Sequence, residues 1–385
     1  MIDLLECRKQ IDEIDSEILE LFEKRMKVSE NVAKFKIATG KKVLDPKREQ
    51  EKLETLRAKA HGEFNQCGVQ EIFQQIMAIS RKRQYQLLRE SGIEEDKSFT
   101  LVDKIPMERV NVVFQGVEGA YSYAAMRAYF GEDIKSFHVK TWKDAMEAVS
   151  CMEADYAVLP IENSTAGVVA DIYDLLTEYK LYIVGEQIIS VNHVLLGTED
   201  ASLEEIEKVY SHPQGLAQCA KFLEQHPNWE KMKTENTAGS AKKVSEDGDK
   251  TQAAIASREA GKLFGLKVLA ENVCHNEQNV TRFIIVGKNP LYTEKSKKVS
   301  VCLELPHISG SLYNILSHMI YNGLNMTKIE SRPIPEKTWE YRFFIDFDGN
   351  LQQSAVKTAL RGMEAEALTM RVLGNYELQE ENCYE

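Results

Sequence analysis

The chain has 385 residues, a length typical of two or three domains. Of these residues 43% are hydrophobic and 28% are charged, a balance typical of a folded protein. Its formal net charge of −12 disfavours nucleic acid as a partner, because phosphate binding needs a basic surface. No apolar run approaches the roughly 20 residues that span a bilayer, and Asp3 and Glu6 interrupt any apolar core of a signal peptide.

The cysteine pattern indicates a reducing compartment. The seven cysteines are scattered, odd in number and never arranged as CxxC: Cys7, Cys67, Cys151, Cys219, Cys274, Cys302 and Cys383. This pattern favours free thiols over a disulfide framework or a zinc cluster. We therefore expect a cytoplasmic protein with no metal centre, no membrane contact and no bound nucleic acid.

The first ~90 residues have the periodicity of helices throughout. The first helix is predicted from near Ile2 to about Ala38, where a Thr-Gly pair ends it. A helix of about 35 residues is too long for a small globule to cover, so a helical partner is expected. Asp45 followed by Pro46 predicts the start of a second helix, and a third is predicted to continue to Leu88.

Polar residues interrupt the apolar faces of these three helices. Arg8 and Arg25 fill positions of the first helix where an apolar residue is expected. The whole set comprises Arg8, Arg25, Lys36, Arg48, Glu49, Ser80 and Gln84. One such residue is more often a flank position whose side chain reaches water. A set on three helices favours a pocket for a small polyanion, because buried unpaired cations are costly and arginine grips carboxylates well.

The periodicity changes after a polar segment, 91–108, which is predicted to be a linker. Short buried strands separated by helical segments predict an α/β domain over 109–288. The clearest strands are 110–114, 156–161, 181–185, 194–197, 253–257 and 282–287. After a second break, 297–385 has the order β-α-β-β-α-β, which predicts an α+β ferredoxin-like module.

Polar clusters adjoin several strands of the α/β part, where ligands of such sheets usually bind. They are Glu162, Asn163 and Ser164, then Ser211 and Gln218, then Thr281 and Arg282. Taken singly, each is more often a cap, a turn or a strand starter. The glycines at 116 and 119 do not form G-x-G-x-x-G, which counts against a nicotinamide-binding domain and hence against a dehydrogenase.

The helical part resembles the AroQ-type chorismate mutase family through C-R-K-Q-I-D-E-I-D, E-K-R, K-F-K, D-P-K-R-E and S-x-x-x-Q. The resemblance covers residues 1–90 and implies an intertwined helical homodimer. It implies that Arg8 of one subunit joins Arg25 and Arg48 of the other in gripping the carboxylates of chorismate. Lys36 and Gln84 would face the ether oxygen. The remaining implied site residues, which hold the hydroxyl and the arginines, are Asp45, Glu49 and Ser80.

Such a pocket suits the rearrangement of chorismate to prephenate, which involves no nucleophile and no proton transfer. Charge builds on the ether oxygen as its bond to carbon breaks. A pocket accelerates this step by holding the compact conformer and by aiming fixed donors at that oxygen.

The α/β part resembles prephenate dehydratases through GAYS, ENSTAG, SHPQ and TRF. The resemblance implies two lobes, similar to type II periplasmic binding proteins, with the substrate between them. It implies that Thr281 is the general acid for the departing hydroxyl and that Arg282 meets a substrate carboxylate. The other implied prephenate-binding residues are Glu162, Asn163, Ser164, Ser211 and Gln218.

The C-terminal module resembles an ACT domain, a module that senses amino acids. Its phenylalanine motifs are ESRP, intact here as Glu330, Ser331, Arg332 and Pro333, and GALV, which reads Gly310, Ser311, Leu312 and Tyr313. A tyrosine in place of the valine would narrow the pocket or stack on the ring of the ligand. Phenylalanine would act mainly on the dehydratase, by favouring a less active arrangement. The alternative is a dimerisation module that binds nothing.

Together the three resemblances predict a bifunctional enzyme of phenylalanine biosynthesis that forms a homodimer or a higher homo-oligomer and uses no cofactor. Its ligands would be chorismate, prephenate and L-phenylalanine. Two alternatives stay open at this point: a mutase joined to an arogenate dehydratase, and a non-catalytic phenylalanine-binding regulator.

Overall fold

The computed structural model describes residues 3–91, 99–276, 278–335 and 337–378. These residues form two compact units. One takes in the described residues of Met1–Lys97, Cys302–Phe343 and Leu351–Arg371, and the other those of Ser98–Val301, Phe344–Asn350 and Val372–Glu385. No helix within the described ranges combines the length and the apolar content needed to cross a membrane.

Three helices open the chain: α1 Leu4–Thr39, α2 Pro46–Lys59 and α3 Glu63–Glu90. Helix α1 begins after Asp3, whose carboxylate accepts a backbone N–H, and ends at Gly40, whose φ of 67° is left-handed. Asp45 caps α2 and Pro46 occupies its first turn. The predicted three-helix region is therefore confirmed.

Helix α1 leaves most of its apolar stripe uncovered within one chain. Residues between 54% and 64% exposed are Ile11, Ile14, Ile18, Leu21 and Val28. The buried residues of α1 are Ser29 and Ala33, both near its C-terminal end. A row of exposed apolar side chains along one helix face is typical of interaction sites.

Strands and helices then alternate. The elements are β1 Thr100–Leu101, β2 Asn111–Gln115, α4 Tyr121–Phe130, β3 Lys135–Val139, α5 Trp142–Ser150, β4 Tyr156–Asn163, β5 Gly167–Val168, α6 Ala170–Tyr179, β6 Tyr182–Ser190, β7 His193–Gly197, β8 Lys208–Ser211, α7 Pro213–Gln218, α8 Ala220–Glu224, β9 Glu230–Lys233, α9 Thr237–Asp247, β10 Gln252–Ser257, α10 Arg258–Leu263, β11 Lys267–Ala270, β12 Val280–Gly287 and β13 Leu291–Tyr292. The six predicted strands are confirmed. Strand β1, which pairs in parallel with β13, lies inside the predicted linker; residues 92–98 of that linker lie outside the described residues.

The α/β part is built on two sheets. One has the strand order β11-β7-β10-β8-β9, and the other includes the run β6-β12-β4-β2-β3. The second sheet packs on a core that includes Phe114 and Ile285, and the first on a core that includes Leu195 and Ile255. The predicted α/β class is confirmed, and each sheet has a polar cluster of the sequence at the ends of its strands.

The C-terminal elements are β14 Lys298–Glu304, α11 Ser311–Tyr321, β15 Met326–Pro333, β16 Tyr341–Asp348, α12 Ser354–Glu366 and β17 Thr369–Tyr376. The predicted order β-α-β-β-α-β is confirmed. The strands lie in the order β15-β16-β14-β17, so the first and third strands of the module are central, as in ferredoxin-like folds.

Candidate active sites

A polar cluster lies where α1 and α3 face each other. The Nη1 of Arg25 donates to the Oγ of Ser80 at 2.5 Å and to the carbonyl of Ile76 at 3.5 Å. One turn further along α3, the Nε2 of Gln84 donates to the Oγ of Ser29 at 3.2 Å. The buried Oε1 of Gln84 has no hydrogen-bond partner among the described residues. The cluster thus combines a permanent cation with an amide whose polar capacity is only partly used.

Lys36 and Glu49, two more charged residues of the predicted set, interact electrostatically in the same region. Lys36 donates from Nζ to the carbonyl of Val43 at 2.5 Å. Burial lowers the pKa of Lys36, and the negative charges of Asp45 and Glu49 partly oppose this. Burial also lowers the pKa of Arg25, again opposed by Glu49. Desolvated cations in this arrangement favour the binding of an anion.

The remaining predicted chorismate residues lie at the surface of the single chain. Asp45 is occupied as the cap of α2, where its Oδ1 accepts the N–H of Arg48 at 3.1 Å. The side chains of Arg8 and Arg48 are exposed and make no hydrogen bond or ion pair with another described residue. One chain therefore brings Arg25 and Lys36 close to Glu49, while Arg8 and Arg48 stay outside the cluster.

Arg81, which follows Ser80 on α3, was not predicted from the sequence. It is 6% exposed. Its Nη1 pairs with Oε2 of Glu49 at 2.5 Å, and its Nε pairs with Oε1 of Glu366 at 2.9 Å. The available signal was that a site carboxylate such as Glu49 needs a cationic neighbour. The second partner was not predictable, because Glu366 is 285 positions away along the chain.

The Thr281 side chain is held by its cross-strand partner. Thr281 of β12 lies opposite Asn163 of β4. The Nδ2 of Asn163 donates to the Oγ1 of Thr281 at 2.9 Å and to the Oδ1 of Asn279 at 2.8 Å. The Oδ1 of Asn163 accepts the N–H groups of Thr165 and Ala166 at 3.0 and 2.8 Å. The oxygen of Thr281 is therefore an acceptor from Asn163, which leaves its O–H available to donate.

The turn after β4 is tied to the segment before β12. Ser164 donates from Oγ to the carbonyl of Gln278 at 3.1 Å and accepts the N–H of Val280 at 3.0 Å. Its role in the structure is thus to hold the turn. Asn279, which was not predicted, is 1% exposed, and its Nδ2 has no hydrogen-bond partner among the described residues.

Arg282, which was predicted to meet a substrate carboxylate, pairs with carboxylates of the chain itself. Side chains alternate along a strand, so Arg282 lies on the opposite face of β12 from the threonine before it. Its guanidinium meets Asp346 at 3.1 Å, Glu186 at 3.4 Å and Glu162 at 3.5 Å. Burial alone would lower the pKa of Arg282, but Tyr376 and the carboxylates raise it. Arg282 therefore belongs to an ion cluster in which its side chain is 12% exposed and that of Glu162 is 38% exposed, and the contact of both residues with prephenate stays a prediction.

A second group of polar side chains forms a hydrogen-bonded chain that ends at Gln218. Ser211 donates from Oγ to the carbonyl of Ile255 at 2.8 Å. The Oε1 of Gln218 lies 3.0 Å from Nε2 of His193, and Nδ1 of His193 lies 3.0 Å from the hydroxyl of Tyr121. Burial lowers the pKa of His193 to about 4, and the bond to Gln218 opposes this only in part.

The protonation of this chain follows from its members. Because an amide oxygen can only accept a hydrogen bond, Nε2 of His193 is protonated and donates to Oε1 of Gln218. The ring is neutral, so Nδ1 accepts the proton of Tyr121. This arrangement points the Oε1 of Gln218 at His193 and leaves its amide N–H groups for another partner. His193 and Tyr121 were missed, although Tyr121 is the tyrosine of GAYS and His193 is a polar residue in an apolar strand.

One segment links the two polar groups of the α/β part. The N–H of His275 donates to the carbonyl of Gln218 at 3.1 Å, and Nδ2 of Asn276 donates to Oγ1 of Thr165 at 3.3 Å. In the same segment, Cys274 Sγ lies 3.7 Å from Cys219 Sγ. The hydrogen bond from Cys219 lowers the pKa of Cys274. His275, Asn276 and Asn279 thus connect the Gln218 group with the Asn163 group.

A cavity of about 370 Å³ adjoins the start of α11. Its lining includes Ser311 and Leu312 of the predicted phenylalanine motif, together with Tyr341 and Phe343. Tyr313, by contrast, is 53% exposed, and its hydroxyl donates to Oε1 of Gln75 at 3.3 Å. The second motif, Glu330 to Pro333, forms the end of β15 and does not line this cavity.

Two family models match this chain: chorismate mutase type II over residues 7–85 and prephenate dehydratase over residues 112–291. The bifunctional chorismate mutase/prephenate dehydratase of Escherichia coli strain K12 is 32% identical over 380 residues, which cover 97% of this chain and 96% of that protein. The prephenate dehydratase of Arthrobacter aurescens, solved in complex with L-Phe, is 33% identical with a TM-score of 0.65 and covers 70% of this chain and 90% of its own. GqqA, described as a quorum quenching acylase, is 30% identical with a TM-score of 0.65 and covers 70% of this chain and 98% of its own.

The half-buried cations of the helical unit and the hydrogen-bonded threonine of the α/β part are features of an enzyme with two activities. The chain belongs to the bifunctional chorismate mutase/prephenate dehydratase family. It therefore rearranges chorismate to prephenate and converts prephenate to phenylpyruvate, in phenylalanine biosynthesis. The predicted function is confirmed at this level.

Proposed function

We propose that the mutase works in the pocket where Arg25, Lys36 and Gln84 converge. Arg25 binds a carboxylate of chorismate, while the Lys36 ammonium and the Gln84 amide stabilise the negative charge that develops on the ether oxygen. The observation that supports this most directly is the desolvation of Arg25 and Lys36 next to Glu49. Ser80 supports the site by accepting a hydrogen bond from the guanidinium of Arg25. Glu49 accepts a hydrogen bond from the substrate hydroxyl.

A second copy of the chain completes this pocket in our proposal. The exposed apolar stripe of α1 supports a helical dimer, because burying such a face in a partner removes it from water. Arg8 lies exposed on the same helix and outside the cluster of its own chain. In the dimer, Arg8 of one subunit therefore reaches the pocket of the other. Arg48 joins it in gripping the substrate.

The dehydratase step is assigned to Thr281. Its Oγ1–H protonates the departing ring hydroxyl while the bond to the ring carboxylate breaks. That bond's electron pair enters the ring, which becomes aromatic, and carbon dioxide and water leave. The N–H of Asn163 stabilises the alkoxide that develops on Thr281, which then takes a proton from water. We place Ser211 and the amide of Gln218 on the substrate as orienting groups, across a cleft between two lobes similar to type II periplasmic binding proteins.

Phenylalanine is proposed to bind the C-terminal module, an ACT domain, near the cavity at the start of α11 and near residues 330–333. The L-Phe complex of the Arthrobacter relative supports this ligand. Binding there would lower the activity of the dehydratase by favouring a less active arrangement. We further propose that the chain divides into a mutase domain (1–90), a linker (91–108), a dehydratase domain (109–288) and an ACT domain (297–385). A cytosolic location is also proposed, because the scattered cysteines are free thiols.

The role of Thr281 is tested with two substitutions in the full chain. Thr281→Ala removes the proton donor and is expected to lower kcat for prephenate by about a hundredfold or more. Thr281→Ser keeps a hydroxyl and is expected to retain most of the activity. Chorismate consumption by both variants serves as the control and stays at the level of the unmodified chain. Unchanged prephenate turnover in Thr281→Ala would contradict the assignment.

A further inference from the structure

A buried ion network joins the mutase helices to the C-terminal module inside one unit of the chain. Arg81 of α3 lies between Glu49 of α2 and Glu366, the last residue of α12. On its other side, Glu366 meets the Nε2 of His318 of α11 at 3.0 Å. The side chains of Arg81, Glu366 and His318 are 7%, 9% and 2% exposed. Charged groups this deeply buried interact strongly, because little water screens them.

The network favours the ionised form of Glu366. Burial would raise the pKa of Glu366, but its bonds to His318 and Arg81 lower it instead. Burial would lower the pKa of Arg81, but Glu366 and Glu49 raise it. One guanidinium therefore balances two carboxylates, one from the mutase helices and one from the C-terminal module. Removing either carboxylate therefore changes how strongly the other one interacts with Arg81.

Further contacts join the same elements around this network. The ammonium of Lys82 lies 5.3 Å from the ring centroid of Tyr321, and Nη1 of Arg89 donates to Oγ of Ser354 at 2.7 Å. The Tyr313 hydroxyl of α11 donates to Gln75 of α3, the helix that also carries Lys82 and Arg89. Helix α3 therefore contacts both helices of the C-terminal module, and a displacement of α12 carries Glu366 away from Arg81.

We propose that Glu366 is a positioning residue for the mutase reaction, which acts through Arg81 on the orientation of Glu49 in the chorismate pocket. The proposal rests on the role of Glu49 given under Proposed function. With Glu366 in place, Arg81 is shared and Glu49 keeps a carboxylate oxygen for the pocket. Without it, the buried guanidinium has Glu49 as its single carboxylate and draws it toward α3. The C-terminal module thereby becomes part of the machinery that shapes the mutase site.

The test compares Glu366→Gln with Glu364→Gln in the full chain. Both substitutions remove one carboxylate from α12, but Glu364 is exposed. Glu366→Gln is expected to lower mutase kcat/KM by about tenfold, a change of about 1.4 kcal/mol in the activation free energy. Its turnover of added prephenate is expected to stay unchanged. Glu364→Gln is expected to leave both activities unchanged.

A double-mutant cycle separates positioning from a general structural effect. If Glu366 acts through Glu49, then Glu366→Gln has no further effect on kcat once Glu49→Gln is present. Independent effects that multiply, or a full mutase rate in Glu366→Gln, would overturn the proposal. Should Glu366→Gln fail to fold, Glu366→Asp provides the same comparison with the charge retained and its reach shortened. Absence of mutase activity in the unmodified chain would instead count against the mutase site itself.

Discussion

At the scale of single residues, His193 illustrates how burial fixes the chemistry of a side chain. The imidazole is 3% exposed, and it donates to Gln218 while it accepts from Tyr121. A protonated ring would lose the acceptor that Tyr121 needs and would place a charge in a dry site. The neutral form is therefore part of the arrangement that orients Gln218.

This protonation state predicts a pH dependence of stability. The pKa of His193 is lowered from 6.5 to about 4, so the unfolded chain binds a proton that the folded chain does not bind between these values. The stabilisation is complete above about pH 6.5 and is lost as the pH falls toward about 4. In that window the free energy of unfolding is expected to fall by up to about 1.4 kcal/mol per pH unit because of this group.

Replacement of the imidazole tests that prediction. His193→Gln is expected to reduce the slope of unfolding free energy against pH between about pH 4 and pH 6.5, as measured by urea denaturation. His61→Gln, at an exposed histidine, is the matched control and keeps the slope of the unmodified chain. An identical slope in His193→Gln would show that the histidine does not carry the effect.

At the scale of elements, the exposed face of α1 predicts a partner. Ile14→Asp places a carboxylate in the middle of the stripe, where burial in a dimer would leave it unpaired. We expect the variant to dissociate toward monomers in sedimentation velocity, and its mutase kcat/KM to fall by at least about tenfold because Arg8 no longer reaches the pocket.

A matched substitution lies on the opposite side of the same helix. Ser16→Asp introduces the same charge at an exposed position and is expected to leave both the mass and the mutase rate unchanged. A dimeric Ile14→Asp variant with full activity would remove the stripe of α1 from the interface.

The elements also mark how far the sequence determines the fold. Helical periodicity and the Asp45–Pro46 start predicted α1 to α3, and short apolar runs predicted β2, β4, β6, β7, β10 and β12. Strand β9 was missed because Glu230–Lys233 reads EKMK and has no apolar run. Strand β3 is likewise mostly polar, so its pairing with β2 rather than its sequence makes it a strand.

The predicted site residues divide in the same way. Motifs predicted that Asn163 and Thr281 share a site, and their cross-strand pairing places the two side chains within hydrogen-bond distance. The face on which Arg282 lies depends on strand register, which the motif alone does not give. The bonds of Arg81 to Glu366 and of His193 to Gln218 join residues distant in sequence, and no local pattern predicts them.

At the scale of the whole molecule, the two activities occupy separate units of one chain. Arg25 belongs to the unit with the three helices, and Thr281 belongs to the unit with the two sheets. Separate sites make the activities separable by substitution. Arg25→Ala is therefore expected to abolish chorismate consumption almost completely and to leave turnover of added prephenate unchanged.

The most direct test of the account is a spectroscopic assay of the purified full chain with chorismate as the single added substrate, with no added cofactor or metal. Chorismate loss and phenylpyruvate formation are followed with and without L-phenylalanine, and the Arg25→Ala variant serves as the control. The account predicts that phenylpyruvate forms from chorismate and that its formation falls when phenylalanine is added. Chorismate loss that stops at prephenate would contradict the dehydratase assignment and direct attention to arogenate. A folded chain that consumes no chorismate would contradict the central claim.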